Sequence, residues 1–322
     1  MNYDLLTIGD VCIDEYLKVD DAQVICDIDK KQCKICFDYS GKILVKKFSA
    51  GIAGNSSNVA VGCARLSLAC AIYTETGDDA NADKFITEYK KLDINTEFFM
   101  RNSGRPTNVH QIIVYEGERT ILAYHEHFDY KMKNWGNPKW LYYTSLPQNF
   151  AGFQTQLVTF LKKNPQIGVA FNPGTYHLKA DIAALSNILE VTHILFVNKE
   201  EAKKLGAKGG ILETHMKLQQ LGPKLTVLTD GANGSSVYDG KELVELGILA
   251  GDIKVVDKTG AGDAHSAGFL AAIFYGKSLL EALKWGTINA AGVVAAIGSV
   301  NGLKTREEVE HAVKTADFVD IS

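Results

Sequence analysis

Apolar residues recur along this chain in two rhythms, and the change from one to the other divides it. Between Gly54 and Leu66, the residues Val59, Ala60, Cys63 and Leu66 keep helical spacing, and Ala69 to Tyr73 directly after them is strand-like, so a helix feeds a strand. Tyr3 to Gly9 is a short, largely apolar run ending in Gly-Asp, the pattern of a buried strand whose end meets a site. Asp79 to Leu92 reads as helix and Asn95 to Met100 as strand. Val109–Tyr115 and Arg119–Tyr124 then flank Glu-Gly-Glu, a spacing that leaves no room for a helix and predicts a β-hairpin.

Beyond residue 138 the alternation becomes regular: strand near 140–143, helix 150–162, strand 167–171, helix 181–189, strand 193–197, helices 199–205 and 210–220, strand 224–229. This order predicts an α/β fold with a mostly parallel central sheet between two helical layers. Ligands of such sheets collect beyond the carboxyl ends of the strands. The last part reads as helical, and both Ser278-Leu-Leu-Glu281 and Thr305-Arg-Glu-Glu308 fit an N-terminal capping box. Segments 16–48 and 106–127 read as β outside the alternation. They are expected to form a small lid sheet over a core made of 1–15, 49–105 and 128–322. No internal repeat or low-complexity linker suggests tethered domains.

Composition narrows the function classes. The chain has 322 residues, 46% of them hydrophobic, and a formal charge of −4, without a basic block or an interleaved basic and aromatic stripe. That argues against nucleic-acid or membrane-surface binding and leaves a small-molecule ligand. Six cysteines at 12, 26, 33, 36, 63 and 70 cluster in the first quarter, unlike a disulfide framework spread over a secreted domain. No targeting segment and no run of about 18 apolar residues is present, so a cytoplasmic protein is expected. Cys33 and Cys36 make one C-x-x-C, but a structural zinc site needs four ligands, so lid, core or subunit-contact roles are favoured for Cys26, Cys33 and Cys36.

The chemistry concentrates in Lys258-Thr-Gly-Ala-Gly-Asp263, between a β-like segment and a long apolar helical run. Glycines let amides turn together, and the following helix adds the positive end of its dipole, so the segment forms an anion hole from Gly260, Ala261 and Gly262. The charge of Asp263 would repel a phosphate, whereas a base that receives the proton of an attacking hydroxyl belongs there. A plain glycine turn before a helix would explain the same residues. A dinucleotide G-x-G-x-x-G fails because His265 stands where the third glycine is needed, and Gly276-Lys-Ser278 fails as a P-loop because Ala271 stands at the leading glycine.

Asp257-Lys-Thr-Gly-Ala-Gly-Asp263 resembles the D-T-x-G-A-G-D signature of the ribokinase-like, or PfkB, carbohydrate kinases. Ala53-Gly-Asn-Ser-Ser-Asn-Val-Ala-Val-Gly-Cys-Ala-Arg-Leu-Ser67 resembles that family's second signature. Gly9 to Asp14, Asn198-Lys-Glu-Glu201 and Thr229 to Gly234 resemble further landmarks in order. The resemblance implies a ribokinase-like three-layer α/β/α core with a β lid, and an ATP-dependent kinase acting on a hydroxyl of a sugar or sugar derivative. Asp263 would be the base; Asp14, Asn58, Gly54 and, more weakly, Asp10 would hold the acceptor. Thr229, Gly231 and Gly234 would approach the nucleotide, with Asn289 near adenine. Asn198 and Glu201 would organise Mg²⁺ through water, and Asp257 with Thr259 would match a K⁺ site found in many members. Phe37, Tyr39, Tyr124 and Phe128 offer lid packing or substrate stacking, and exposed lid edges a homodimer contact. Ala53, Ser67 and His265 depart from the family pattern and bear on acceptor preference. A nucleoside kinase of the same family, and a non-catalytic nucleotide- or sugar-binding protein, remain the competing readings.

Overall fold

The computed structural model describes residues 3–27 and 33–321. Nine strands among the described residues make the main sheet, in the spatial order Leu243–Leu246, Ser235–Tyr238, Leu225–Thr229, Ile194–Asn198, Gly168–Phe171, Trp140–Tyr143, Leu5–Ile8, Cys70–Gly77 and Phe99–Asn102. Every pairing is parallel except the two made by Ser235–Tyr238. Successive strand residues point to opposite faces, so Leu5 and Tyr142 enter one core and Leu6 and Tyr143 the other. Helices Asn55–Arg65, Ala261–Phe274 and Leu279–Val294 cover the first face; Phe150–Lys163, Ile182–Val191 and Ile211–Gln220 cover the second. This is the three-layer α/β/α arrangement that the alternation predicts.

Helix Ala261–Phe274 is buried on every side from Asp263 to Ala272. Phe269 meets Phe196 of the sheet edge to face at 5.6 Å, fastening the helix to the strand layer. Burying such a side chain stabilises by about 1.5–3 kcal/mol, so the helix start, and Asp263 on it, is held by the core. Both capping boxes form: Ser278 and Thr305 accept from the amides of Glu281 and Glu308. Among the described residues no helix is long and apolar enough to cross a membrane.

Four strands form a separate sheet in the order Val45–Ala53, Cys12–Val19, Val109–Tyr115 and Glu118–Tyr124. Cys12 pairs with Ala53, so residues 12–15 and 49–53 belong to this sheet, which reaches further toward the core than the boundaries drawn from sequence. The hairpin turn is the pair Glu116-Gly117, both at positive φ (50° and 84°), the geometry that matches strand twist in two-residue hairpins. Asn95 is joined to Ala71 by an isolated bridge, and the strand begins at Phe99. The cause is a turn: the Asn95 side chain accepts from the Glu97 amide, and the Phe99 amide bonds Thr96 O.

Gln23–Cys26 and Cys33–Cys36 form a two-stranded ribbon, and the cross-strand partners Cys26 and Cys33 are joined as a disulfide. From sequence these cysteines are assigned lid, core or subunit-contact roles and no disulfide between them; residues 28–32 of the segment lie outside the described part. Cys12, Cys36, Cys63 and Cys70 are free. Tyr39 is fully exposed, whereas Phe128 is buried in the second core with Tyr73 and Trp135, away from any stacking role.

Candidate active site

The carboxyl ends of the parallel strands open on a cavity of about 200 Å³ whose lining includes Asn172, Asn198, Glu201, Thr229, Gly262 and Asp263. Strand direction explains the collection: Asn172 follows Phe171, and Asn198 and Thr229 end their strands. Helix Ala261–Phe274 points its N-terminus at the same place.

Asp263 sits in the first turn of that helix, nearly enclosed. Its Oδ2 accepts from Asn58 Nδ2 at 2.8 Å and its Oδ1 from Asn55 Nδ2 at 3.1 Å. Burial pushes its pKa up to about 7, against the opposing pull of those two hydrogen bonds. A carboxylate with that pKa is matched to proton transfer near neutral pH. Asn58 has its Oδ1 buried without a protein partner. A buried acceptor of this kind costs about 1–3 kcal/mol unless a ligand supplies a donor.

Two glycines shape the approach. Gly260 caps the helix in the left-handed region at φ 79°, and a Cβ there would stand 2.6 Å from Ser299 O. Gly54 caps the Asn58 helix at φ 97°, where a Cβ would press to 2.6 Å from the Val11 Cα. Each fits only a residue without a side chain. The Ala261 amide is turned to Lys258 O at 3.4 Å, whereas Gly262 lies in the first helical turn, where no preceding intrahelical carbonyl is available. Only part of the three-amide cradle expected from sequence is therefore open.

The remaining residues divide. Asp10 and Asp14 are buried where the chain passes from the main sheet into the four-stranded sheet: Tyr130 donates to Asp10 Oδ1 at 2.9 Å, and His110 Nδ1 lies 3.1 Å from Asp14 Oδ1. Burial raises Asp10 to about 7, with the Tyr130 bond opposing. Asn198 and Glu201 form a reciprocal cap, each side chain accepting from the other's amide at 2.9 Å. Asn198 Oδ1 is thereby used, but Glu201 spends only Oε2 on the cap, and burial raises its pKa beside the cavity. Gly231 and Gly234 bound a short 3₁₀ turn between antiparallel strands, adjoining Thr229 but not lining the cavity.

Two expectations meet contrary geometry. The Asn289 amide is fully enclosed, donating to Ala264 O at 2.9 Å and accepting from the Lys304 amide at 3.0 Å, so it ties the helices together and has no face for adenine. Asp257 and Thr259 are occupied by a side chain: Arg119, from the hairpin of the four-stranded sheet, donates to Asp257 Oδ1 and to Thr259 Oγ1. Although burial raises the Asp257 pKa, hydrogen bonds from the Thr259 amide and hydroxyl and the Gly298 amide outweigh it and hold the group low. His265 is packed, with Nε2 3.1 Å from Ser235 Oγ, and burial lowers it to about 4.

Sequence reasoning missed Asn55, Tyr130 and Arg119. Asn55 had a signal, since it precedes Asn58 by three positions and so shares its helix face. Ser145 Oγ in turn donates to Asn55 Oδ1 at 3.2 Å, fixing which end of that amide faces Asp263. Arg119 and Tyr130 had none, being far from their carboxylates in the chain.

The model for "pfkB family carbohydrate kinase" matches residues 13–306. A nucleoside kinase of Methanocaldococcus jannaschii is 26% identical over 268 residues, covering 80% of this chain and 83% of that protein. An ATP-dependent 6-phosphofructokinase of Thermoanaerobacterium thermosaccharolyticum is 21% identical, covering 92% and 90%. Among solved structures, Arabidopsis thaliana ribokinase complexed with ribose and ATP superposes with a TM-score of 0.77 at 20% identity, covering 98% of this chain and 99% of that one.

Proposed function

This chain belongs to the pfkB carbohydrate kinase family, and on that premise we propose that it transfers the γ-phosphate of ATP to a hydroxyl of a sugar or sugar derivative, with Asp263 as general base. It is a phosphotransferase with a hydroxyl acceptor, a carbohydrate or nucleoside kinase. The observation that carries the residue assignment is the Asp263 carboxylate, tuned to about 7 and aligned by Asn58 and Asn55 at a helix N-terminus that opens on the same cavity.

In this reading the acceptor lies between the lid sheet and the helix start. Asn58 Oδ1 and the carboxylates of Asp14 and Asp10 accept from its hydroxyls, as adjacent OH groups of a polyol require. Asp263 takes the proton of the attacking oxygen, and the Gly262 amide with the helix dipole steadies charge on the transferring phosphoryl group. Thr229 meets the nucleotide along the strand end, with Gly231 and Gly234 shaping the neighbouring turn. Glu201 fits a hydrated divalent cation through its remaining oxygen, supported by the cap with Asn198; Mg²⁺ there would neutralise phosphate charge. Asp257 and Thr259 do not fit K⁺, because the Arg119 guanidinium already supplies the positive charge. Segments 16–48 and 106–127, with the extensions noted above, act as the lid over the core. The exposed Phe48, Leu122 and Tyr124 on that sheet support a homodimer through it, which a monomeric mass by light scattering would dismiss.

An ATP-consumption screen over sugars, sugar phosphates and nucleosides tests the reading. Acceptor-dependent consumption with a sugar or sugar phosphate is expected. A nucleoside as sole acceptor would move the assignment to a nucleoside kinase, and binding without consumption in every case would leave a non-catalytic binding protein.

A further inference from the structure

Cys12, Asp14 and His110 bring three different ligand atoms to one point at the base of the lid. Cys12 and Asp14 are two apart on one strand, so both face the same side, and His110 is the register partner of Asp14 on the neighbouring strand. Cys12 Sγ lies 3.6 Å from Asp14 Oδ1 and 3.4 Å from His110 Nδ1, and the third edge, His110 Nδ1 to Asp14 Oδ1, is 3.1 Å. With metal–sulfur bonds of about 2.3 Å and metal–nitrogen or –oxygen bonds of about 2.0–2.2 Å, tetrahedral angles place ligand atoms about 3.3–3.6 Å apart. The two sulfur edges match that spacing, and the Nδ1 to Oδ1 edge is 3.1 Å, shorter than it. Hydrogen bonding alone fills it less well. The thiol and one imidazole N–H supply two protons for three edges, and the Sγ to Nδ1 edge is left without one when both donate to Asp14. A single cation at the centre satisfies all three atoms.

The site is also built into the fold. Cys12 and Asp14 are each 3% exposed, and His110 is held from behind, its Nε2 lying 3.1 Å from His125 Nε2. A ligating imidazole commonly uses its second nitrogen in this way, and the pairing directs Nδ1 to the cluster.

We propose that Cys12, Asp14 and His110 bind one divalent transition metal of the zinc class, with water at the fourth position. Binding displaces the Cys12 thiol proton to solvent and leaves the imidazole protonated at Nε2, where it donates to His125. Because the metal would claim the Asp14 carboxylate, it also blocks the acceptor; this consequence rests on the function proposed above, whereas the binding itself does not.

Titration of the metal-free full-length protein with Co²⁺ tests the site through near-ultraviolet sulfur-to-cobalt absorption. One Co²⁺ per chain with that absorption is expected, displaced by Zn²⁺, retained in Cys36→Ser, and lost in both Cys12→Ser and His110→Ala. Thermal melting of both variants separates loss of ligand from loss of fold. Absence of the band in the native chain, or its survival in folded Cys12→Ser, overturns the proposal. Zn²⁺ raising the acceptor KM at least about tenfold in the native kinase, but not in Cys12→Ser, supports the blocking role. Metal bound with an unchanged acceptor KM upholds the site and removes Asp14 from acceptor binding.

Discussion

Asn58 Nδ2 donates a 2.8 Å hydrogen bond to Oδ2 of Asp263, joining residues 205 positions apart and the two signature helices at a single carboxylate. The bond favours the ionised form, so it pulls the Asp263 pKa down against burial. Asn58→Ala should therefore shift the acidic limb of the kcat profile to higher pH and lower kcat on the order of tenfold or more, the scale of a lost charge-assisted bond. Asn55→Ala should shift the limb the same way by less. A pH–rate series on the three proteins checks both; an unmoved limb contradicts the coupling.

The elevated pKa also carries a stability cost. Asp263 titrates at about 7 in the fold against an ordinary 3.8, so ionising it destabilises the native state, fully above pH 7 and not at all below about pH 4. Asp263→Asn should raise the melting midpoint by a few degrees at pH 8 and give an unchanged or lower midpoint at pH 4. Calorimetry at the two pH values reads the sign.

Arg119 bridges the lid to Asp257 and Thr259. Replacing K⁺ in the buffer by an organic cation should leave the native rate unchanged. Arg119→Ala should lose about tenfold in kcat/KM, because it leaves the buried Asp257 without its cation, and should regain part of it with added K⁺. Strong K⁺ activation of the native enzyme would contradict the internal-cation reading.

Beyond its own helical turn Gly262 has no protein atom within 4 Å of an added Cβ, and it lines the cavity. Gly262→Ala should melt like the native protein yet raise the KM for ATP or lower kcat about tenfold or more, since the methyl occupies space for the phosphate. Retained kinetics would move the phosphate elsewhere.

What was readable in the sequence follows from how local each feature is. Strand and helix alternation, both capping boxes and the two signatures depend on neighbouring residues, and the α/β/α layers, the hairpin and the helix at Asn55–Arg65 follow them. Features made by docking distant segments left little trace. Arg119 reaches Asp257 across 138 positions, and Asn289 is withdrawn from the ligand surface by bonds to Ala264 and Lys304 that no local pattern announces. Asn198 and Glu201 show the ambiguity directly: Asn-x-x-Glu is also the spacing of a helix cap, that cap is present, and it still leaves one Glu201 oxygen beside the cavity. The Cys26–Cys33 pairing depends on strand register within the ribbon, which spacing alone did not fix.

The most direct measurement is the turnover of Asp263→Asn with ATP and the acceptor found by the screen, alongside the nucleotide affinity of the same protein. A fall of about two or more orders of magnitude in kcat, the scale for a lost general base, with ATP binding nearly unchanged, is the predicted result. Undiminished turnover in a folded, ATP-binding variant would contradict the account.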